Sequence, residues 1–188
     1  GQTSATLTIT GTDDAIDEPD ETIILSPSAT GAVLASSAAL NIAFTDNDLP
    51  PAVTSVTATT ADGAYKERQV IAISVTFDKA VTVTGTPQLT LETGSSDALV
   101  DYASGTGTTT LTFNYTIGSG QNSADLDYVA TTSLALNSGT ITETGGTSDV
   151  TLTFPSPGAT NSLGANRALV IDTTVPTMAI TATNGTSA

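Results

Sequence analysis

Apolar and hydroxyl-bearing residues take turns, one by one, in Ala5-Thr6-Leu7-Thr8-Ile9-Thr10, Val70-Ile71-Ala72-Ile73-Ser74-Val75-Thr76-Phe77 and Thr110-Leu111-Thr112-Phe113-Asn114-Tyr115-Thr116. A period of two sends successive side chains to opposite faces, so each stretch reads as an antiparallel strand with one buried and one wet face. No segment carries a 3.6-residue period over three turns. The residues that dominate, Thr, Ser, Ala, Val and Gly, point the same way, because Thr and Val are stiff at the β-carbon and sit well on a pleated sheet. The expected fold class is all-β. Strands recurring about every ten residues between Gly, Asn and Asp turns predict antiparallel β-sandwiches of immunoglobulin-like type.

Two proline-marked breaks divide the chain. Pro50-Pro51 follows Thr45-Asp46-Asn47-Asp48-Leu49 and precedes a strand expected at residues 53–59. Later, Ala168-Leu169-Val170-Ile171-Asp172 ends a strand before Pro176, and Met178-Ala179-Ile180-Thr181-Ala182-Thr183 starts another. The expected units are residues 1–49, 50–174 and 175–188. The first has room for three strands, at residues 4–10, 21–26 and 38–45, against about seven in a complete sandwich. It reads as the C-terminal half of a domain, and residues 175–188 as the first strand of a following one. The expectation is therefore tandem sandwiches, the first incomplete, with neighbouring domains of the same parent chain as partners. An edge left open in the half-domain invites strand exchange with another copy.

Charge excludes whole classes of function. Nineteen acidic residues against four basic ones (Lys66, Arg68, Lys79, Arg167) give a formal net charge of −15, a field that repels phosphate backbones and anionic membrane surfaces. No apolar run approaches the roughly 18 residues of a membrane span, and no charged-then-apolar leader is present. With no cysteine and no histidine, thiolate or zinc sites and a Ser-His-Asp triad lack their central groups. Paired carboxylates without tryptophan platforms make a poor sugar-cleaving cleft. No enzyme activity is expected.

The acids are not spread evenly. Asp13, Asp14, Asp17, Glu18, Asp20 and Glu21 fall within nine residues, and Asp46 and Asp48 close the same segment. Such a run is either a solvated loop or the oxygen-rich shell of a hard cation; calcium takes about 6–8 oxygens in flexible geometry. The order of features is similar to the C-terminal half of a Calx-beta domain, a calcium-binding sandwich of sodium–calcium exchangers and bacterial surface proteins. An apolar strand runs into Asp13-Asp14, Glu18 and Glu21 follow four and seven residues after Asp14, and then come Thr22-Ile23-Ile24-Leu25, a Gly-containing turn and Asp46-Asn47-Asp48. The resemblance covers residues 5–48. It implies Ca2+ as cofactor and Asp13, Asp14, Glu18, Glu21, Asp46 and Asp48 as ligands. The run from Asp46 to Pro50 is also similar to the acidic linker of cadherins, in which calcium stiffens the joint between domains.

Residues 51–172 resemble an immunoglobulin-like repeat of large bacterial adhesins. The resemblance rests on Asp62-Gly63-Ala64-Tyr65-Lys66, Val81-Thr82-Val83-Thr84-Gly85-Thr86-Pro87-Gln88-Leu89-Thr90-Leu91, Leu111-Thr112-Phe113-Asn114-Tyr115-Thr116, Asp125-Leu126-Asp127-Tyr128 and Ile171-Asp172-Thr173-Thr174-Val175-Pro176. Asp125 and Asp127, two apart, are further calcium candidates against a solvated turn, and Asp172 is a candidate for a junction ion. Gly105-Thr106-Gly107 and Gly118-Ser119-Gly120 read as hairpin turns, since no P-loop Lys-Ser/Thr follows. The expected function is a calcium-stiffened extender segment of a large extracellular bacterial adhesin, supporting cell adhesion by presenting other domains. The alternatives are a glycan- or protein-binding module and a filament subunit that exchanges strands.

Overall fold

The computed structural model describes residues 7–28 and 38–178. Among these residues the protein is all-β, with one short helix. Two strands, β1 (Glu21–Leu25) and β2 (Leu40–Phe44), form an antiparallel pair of their own, with Glu21 opposite Phe44 and Leu25 opposite Leu40. The remaining strands are β3 (Val53–Ala58), β4 (Gly63–Tyr65), β5 (Val70–Thr84), β6 (Gln88–Leu91), β7 (Ala98–Ser104), β8 (Thr108–Thr116), β9 (Leu134–Ala135), β10 (Thr140–Glu143) and β11 (Leu169–Ile171), with helix α1 (Leu163–Asn166) before the last.

β5 organises this second part. Its Ile71, Ile73, Val75 and Phe77 alternate inward and are buried, as the period-two reading expects. One edge of β5 pairs with β8, with Ile73 opposite Phe113 and Val75 opposite Leu111. The other edge carries β3 along Ile73–Phe77 and then β10 along Val81–Thr84. The register with β8 shifts between Thr76 and Val81, so the strand breaks step where it changes neighbours. From β8 the sheet continues through β7 and β6 to β9. β7 splits its pairing: Tyr102 and Ser104 lie against β8, whereas Ala98–Asp101 turn to β6. A groove of about 480 Å³ opens where β7 leaves β8, lined by residues that include Asp97, Asp101, Asn114 and Gln121.

Inward residues from the whole path, among them Val56, Ile73, Leu89, Val100, Phe113, Ile141 and Leu169, share one buried cluster. Every buried apolar residue among those described lies between Pro51 and Ile171. The core is closed at one end by Tyr128, whose ring stacks edge-on against Phe154 at 4.8 Å and whose hydroxyl donates to the Pro155 carbonyl. Burial, with the Asp127 charge behind it, pushes the Tyr128 phenol well up. Helix α1 is capped by Ser162, which accepts from the Ala165 N–H, and the following residues tie it to β3: Asn166 donates to Val56 O and Arg167 to Ala58 O, both at 2.8 Å. By contrast, Ile24 and Leu40 of the β1–β2 pair are 63% and 57% exposed, so this pair has no core of its own among the described residues.

Some expectations need correction. Residues 7–10 carry no strand, and Leu7 is 70% exposed; the alternation there has no described neighbour to pair with. Residues 4–6 and 179–183 lie outside the described residues, and Met178 is in no strand. Gly105-Thr106-Gly107 does join the hairpin of β7 and β8, but Gly118-Ser119-Gly120 turns the chain into a long connection, because β9, the next strand, pairs with β6 instead of β8.

Candidate metal centre

Antiparallel pairing of β1 and β2 determines where the acids go. With Glu21 opposite Phe44, the residues before β1 and those after β2 leave the ladder at the same end. The two acidic runs, about 25 residues apart along the chain, are thereby placed side by side. The Glu18 N–H donates to Asp46 Oδ2 at 2.7 Å, and the Asp46 N–H donates to Asp20 Oδ1 at 3.0 Å. Asp13, Asp14, Glu18, Glu21, Asp46 and Asp48 all line one open cavity of about 580 Å³. All six ligands implied by the Calx-beta resemblance thus border the same space.

The electrostatics of the cavity are uneven. Backbone N–H groups, first that of Glu18 and then that of Asp48, hold the Asp46 carboxyl below its ordinary range. Asp48 moves the other way. Loss of water around it pushes its carboxyl up, Lys79 pulls it back, and the charges of Asp46, Asp13 and Asp14 raise it again. One carboxylate therefore sits in a field of three others with a single cation nearby to offset them.

The donor chemistry fits calcium, since every side-chain donor from these acids is a hard oxygen and the runs together offer enough of them for a shell of about 6–8. Yet among the described residues no three acidic side chains are grouped closely enough to hold an ion. Carboxylates of both runs take backbone donors instead: Asp14 Oδ1 accepts from the Ile16 N–H and Asp46 Oδ1 from the Asp48 N–H. Binding requires them to converge.

The other candidates stand elsewhere. Asp125 and Asp127 do face the same way, not from a strand but from a loop in which Leu126 and Tyr128 turn inward. A β-carbon placed on Gly164 would lie 3.0 Å from Asp127 Oδ2 and 3.5 Å from Asp125 Oδ2. Asp127 is committed to local structure, accepting from the N–H groups of Tyr128 and Gly158, both at 2.9 Å. Asp172 accepts from the Thr174 N–H at 2.9 Å, and this bond holds its carboxyl below the ordinary range.

Sequence reasoning missed a second cluster beside the cavity. Glu143, only 4% exposed, pairs with Lys79 at 3.3 Å and accepts from the Asp17 N–H at 3.0 Å. Lys79 donates to the Ala15 carbonyl and Ser148 to the Asp17 carbonyl, each at 2.8 Å. A signal was present: in Thr140-Ile141-Thr142-Glu143 the acid shares a strand face with Ile141, where burial demands a partner. No family model, curated protein or solved structure matches the chain in comparisons with known proteins.

Proposed function

We propose that the chain is a calcium-stiffened structural segment of a large extracellular bacterial surface protein, built of tandem immunoglobulin-like sandwiches. Its work is mechanical, with no catalytic step: it holds neighbouring domains away from the cell surface and so serves adhesion indirectly. One observation carries this reading. Six acids from two separate runs border a single cavity next to the junction with the larger domain.

Calcium in that cavity offsets the mutual repulsion felt most by Asp48, and an ion that binds only the folded form stabilises it by mass action at the millimolar levels typical of extracellular modules. Asp125 and Asp127 by Gly164, and Asp172 at the far boundary, are secondary candidates in the same scheme. The test is calorimetric calcium titration with thermal melts in calcium and in chelator, comparing the parent chain with an Asp13→Asn, Asp48→Asn variant. These substitutions remove charge while keeping an oxygen acceptor. Saturable binding that raises the melting temperature and is lost in the variant supports the reading; identical melts in calcium and chelator refute it.

A second reading is favoured by the exposed Ile23, Ile24 and Leu40 of the two-stranded β1–β2 sheet, since an isolated pair of strands is marginal in water. Strand exchange with another copy would cover this surface. Light scattering distinguishes it: concentration-dependent oligomers favour exchange, whereas a monomer at every concentration removes it.

A further inference from the structure

Three consecutive residues of the acidic loop, Ala15, Ile16 and Asp17, are seated on the larger domain by a set of contacts that involve no acidic ligand of the cavity. Both carboxylate oxygens of Glu143 are engaged, Oε1 by Lys79 Nζ and Oε2 by the Asp17 N–H. Lys79 also reaches the Ala15 carbonyl, and Ser148 the Asp17 carbonyl. Between these two anchor points the Ile16 side chain lies on the turn after β10, where a β-carbon on Gly146 would come within 2.8 Å of Ile16 Cγ2 and one on Gly145 within 3.4 Å of Ile16 Cδ1. Two bare glycines thus make the seat for the side chain, and the ion pair of buried Glu143 with half-buried Lys79 makes the grip on the backbone.

We infer that Glu143, Lys79, Ser148 and the Gly145-Gly146 turn form a docking surface for residues 15–17 that fixes the β1–β2 unit against the larger domain without any metal ion. The contacts are backbone-directed except at Ile16, so they read the course of the loop more than its side chains. Burial of Glu143 gives the surface its selectivity, because a buried carboxylate left without its donors is strongly disfavoured. In this arrangement the protein itself sets the orientation of the joint, and calcium in the adjoining cavity acts on a loop that is already seated.

The chain has no cysteine, so Thr22→Cys and Leu99→Cys can be spin-labelled uniquely, one on exposed β1 and one on the larger domain, where Leu99 is 65% exposed. Distances between the labels are measured by pulsed electron resonance in chelator and in calcium. The expected result is one narrow distance in chelator, unchanged by calcium, and loss of that narrow distance in Gly146→Val, Ser148→Ala and Glu143→Ala backgrounds. Gly146 is outside the left-handed region, so valine there tests the seat for Ile16 without backbone strain. It also keeps the test decisive should Glu143→Ala fail to fold. A broad distribution in chelator that narrows only with calcium overturns the inference, as does a narrow distance surviving in the folded Gly146→Val and Ser148→Ala variants. Failure of calcium to bind at all overturns the calcium reading instead and leaves the docking surface standing.

Discussion

Asp48 is the residue on which the acidic cavity turns. Loss of water and three neighbouring carboxylates, against the pull of Lys79, make it a weaker acid than usual, so keeping it ionised costs folded-state stability at neutral pH. For such a raised carboxyl the folded form binds the proton more tightly, and stability falls as pH rises through the carboxylate range. Asp46, held low by backbone donors, contributes the opposite trend: its stabilisation is present above that range and is lost as pH falls through it. We therefore expect Asp48→Asn to raise the melting temperature in chelator at pH 7 and to lower the gain produced by calcium. Melts of parent and variant in both conditions check this, and a variant less stable in chelator would contradict it. The sequence shows the six carboxylates and their ligand-like order. It does not show that Asp17 and Asp20 are turned to other tasks, because the pairing of β1 with β2 brings Asp20 to the Asp46 N–H and only the fold brings Glu143 and Ser148 to the Asp17 backbone.

The long strands were legible because alternation is a local signal: β8 falls on its period-two stretch and β5 begins on its own, although it runs on to Thr84, while β3 falls where a strand is expected after Pro50-Pro51. The short ones were less so. β11 falls where a strand is expected to end at Asp172, but its parallel pairing with β4 has no local sign, and β4 and β9, of three and two residues, have partners remote in the chain, so nothing nearby announces them. Turn glycines fall between these cases. Gly105 and Gly107 were readable as a hairpin turn, but not their unequal roles. Both have positive φ, at 113° and 79°, yet a β-carbon at Gly105 would sit 2.0 Å from the Thr110 carbonyl oxygen, while Gly107 has open space around it. Gly107→Ala is expected to cost about 1 kcal/mol for left-handed backbone. Gly105→Ala should cost roughly 3 kcal/mol or more, as the hairpin has to shift. Chemical denaturation of the two variants measures the difference; equal costs would mean that the β7–β8 turn relaxes freely.

Stability is concentrated in one part of the chain. All buried apolar residues among those described lie within 51–171, and no residue of β1 or β2 belongs to that core. A fragment of residues 50–174 is accordingly expected to unfold cooperatively on its own, with a lower melting temperature than the whole chain only to the extent that Glu143 loses its Asp17 donor. Calorimetry of the fragment tests this, and loss of the cooperative transition would show that residues before 50 are part of the fold. The expected break at Pro50-Pro51 carries no sign of the seating of residues 15–17 across it, since that seating joins groups 64 to 131 residues apart.

The last strand of the larger domain closes on an early one, β11 on β4, and the two run in the same direction. Their pairing is extended by a bond at each end, from the Gly63 N–H to Ala168 O at 3.0 Å and from the Asp172 N–H to Tyr65 O at 2.9 Å. Tension that passes β3 to reach β4 from one side, and β11 from the other, draws β4 backward and β11 forward. The bonds between them are then strained lengthwise and all at once, as in a lap joint under shear, instead of opening singly like a zip. A sideways pull on β11 alone would meet them one at a time, so this clasp resists stretching along the chain far better than peeling across it.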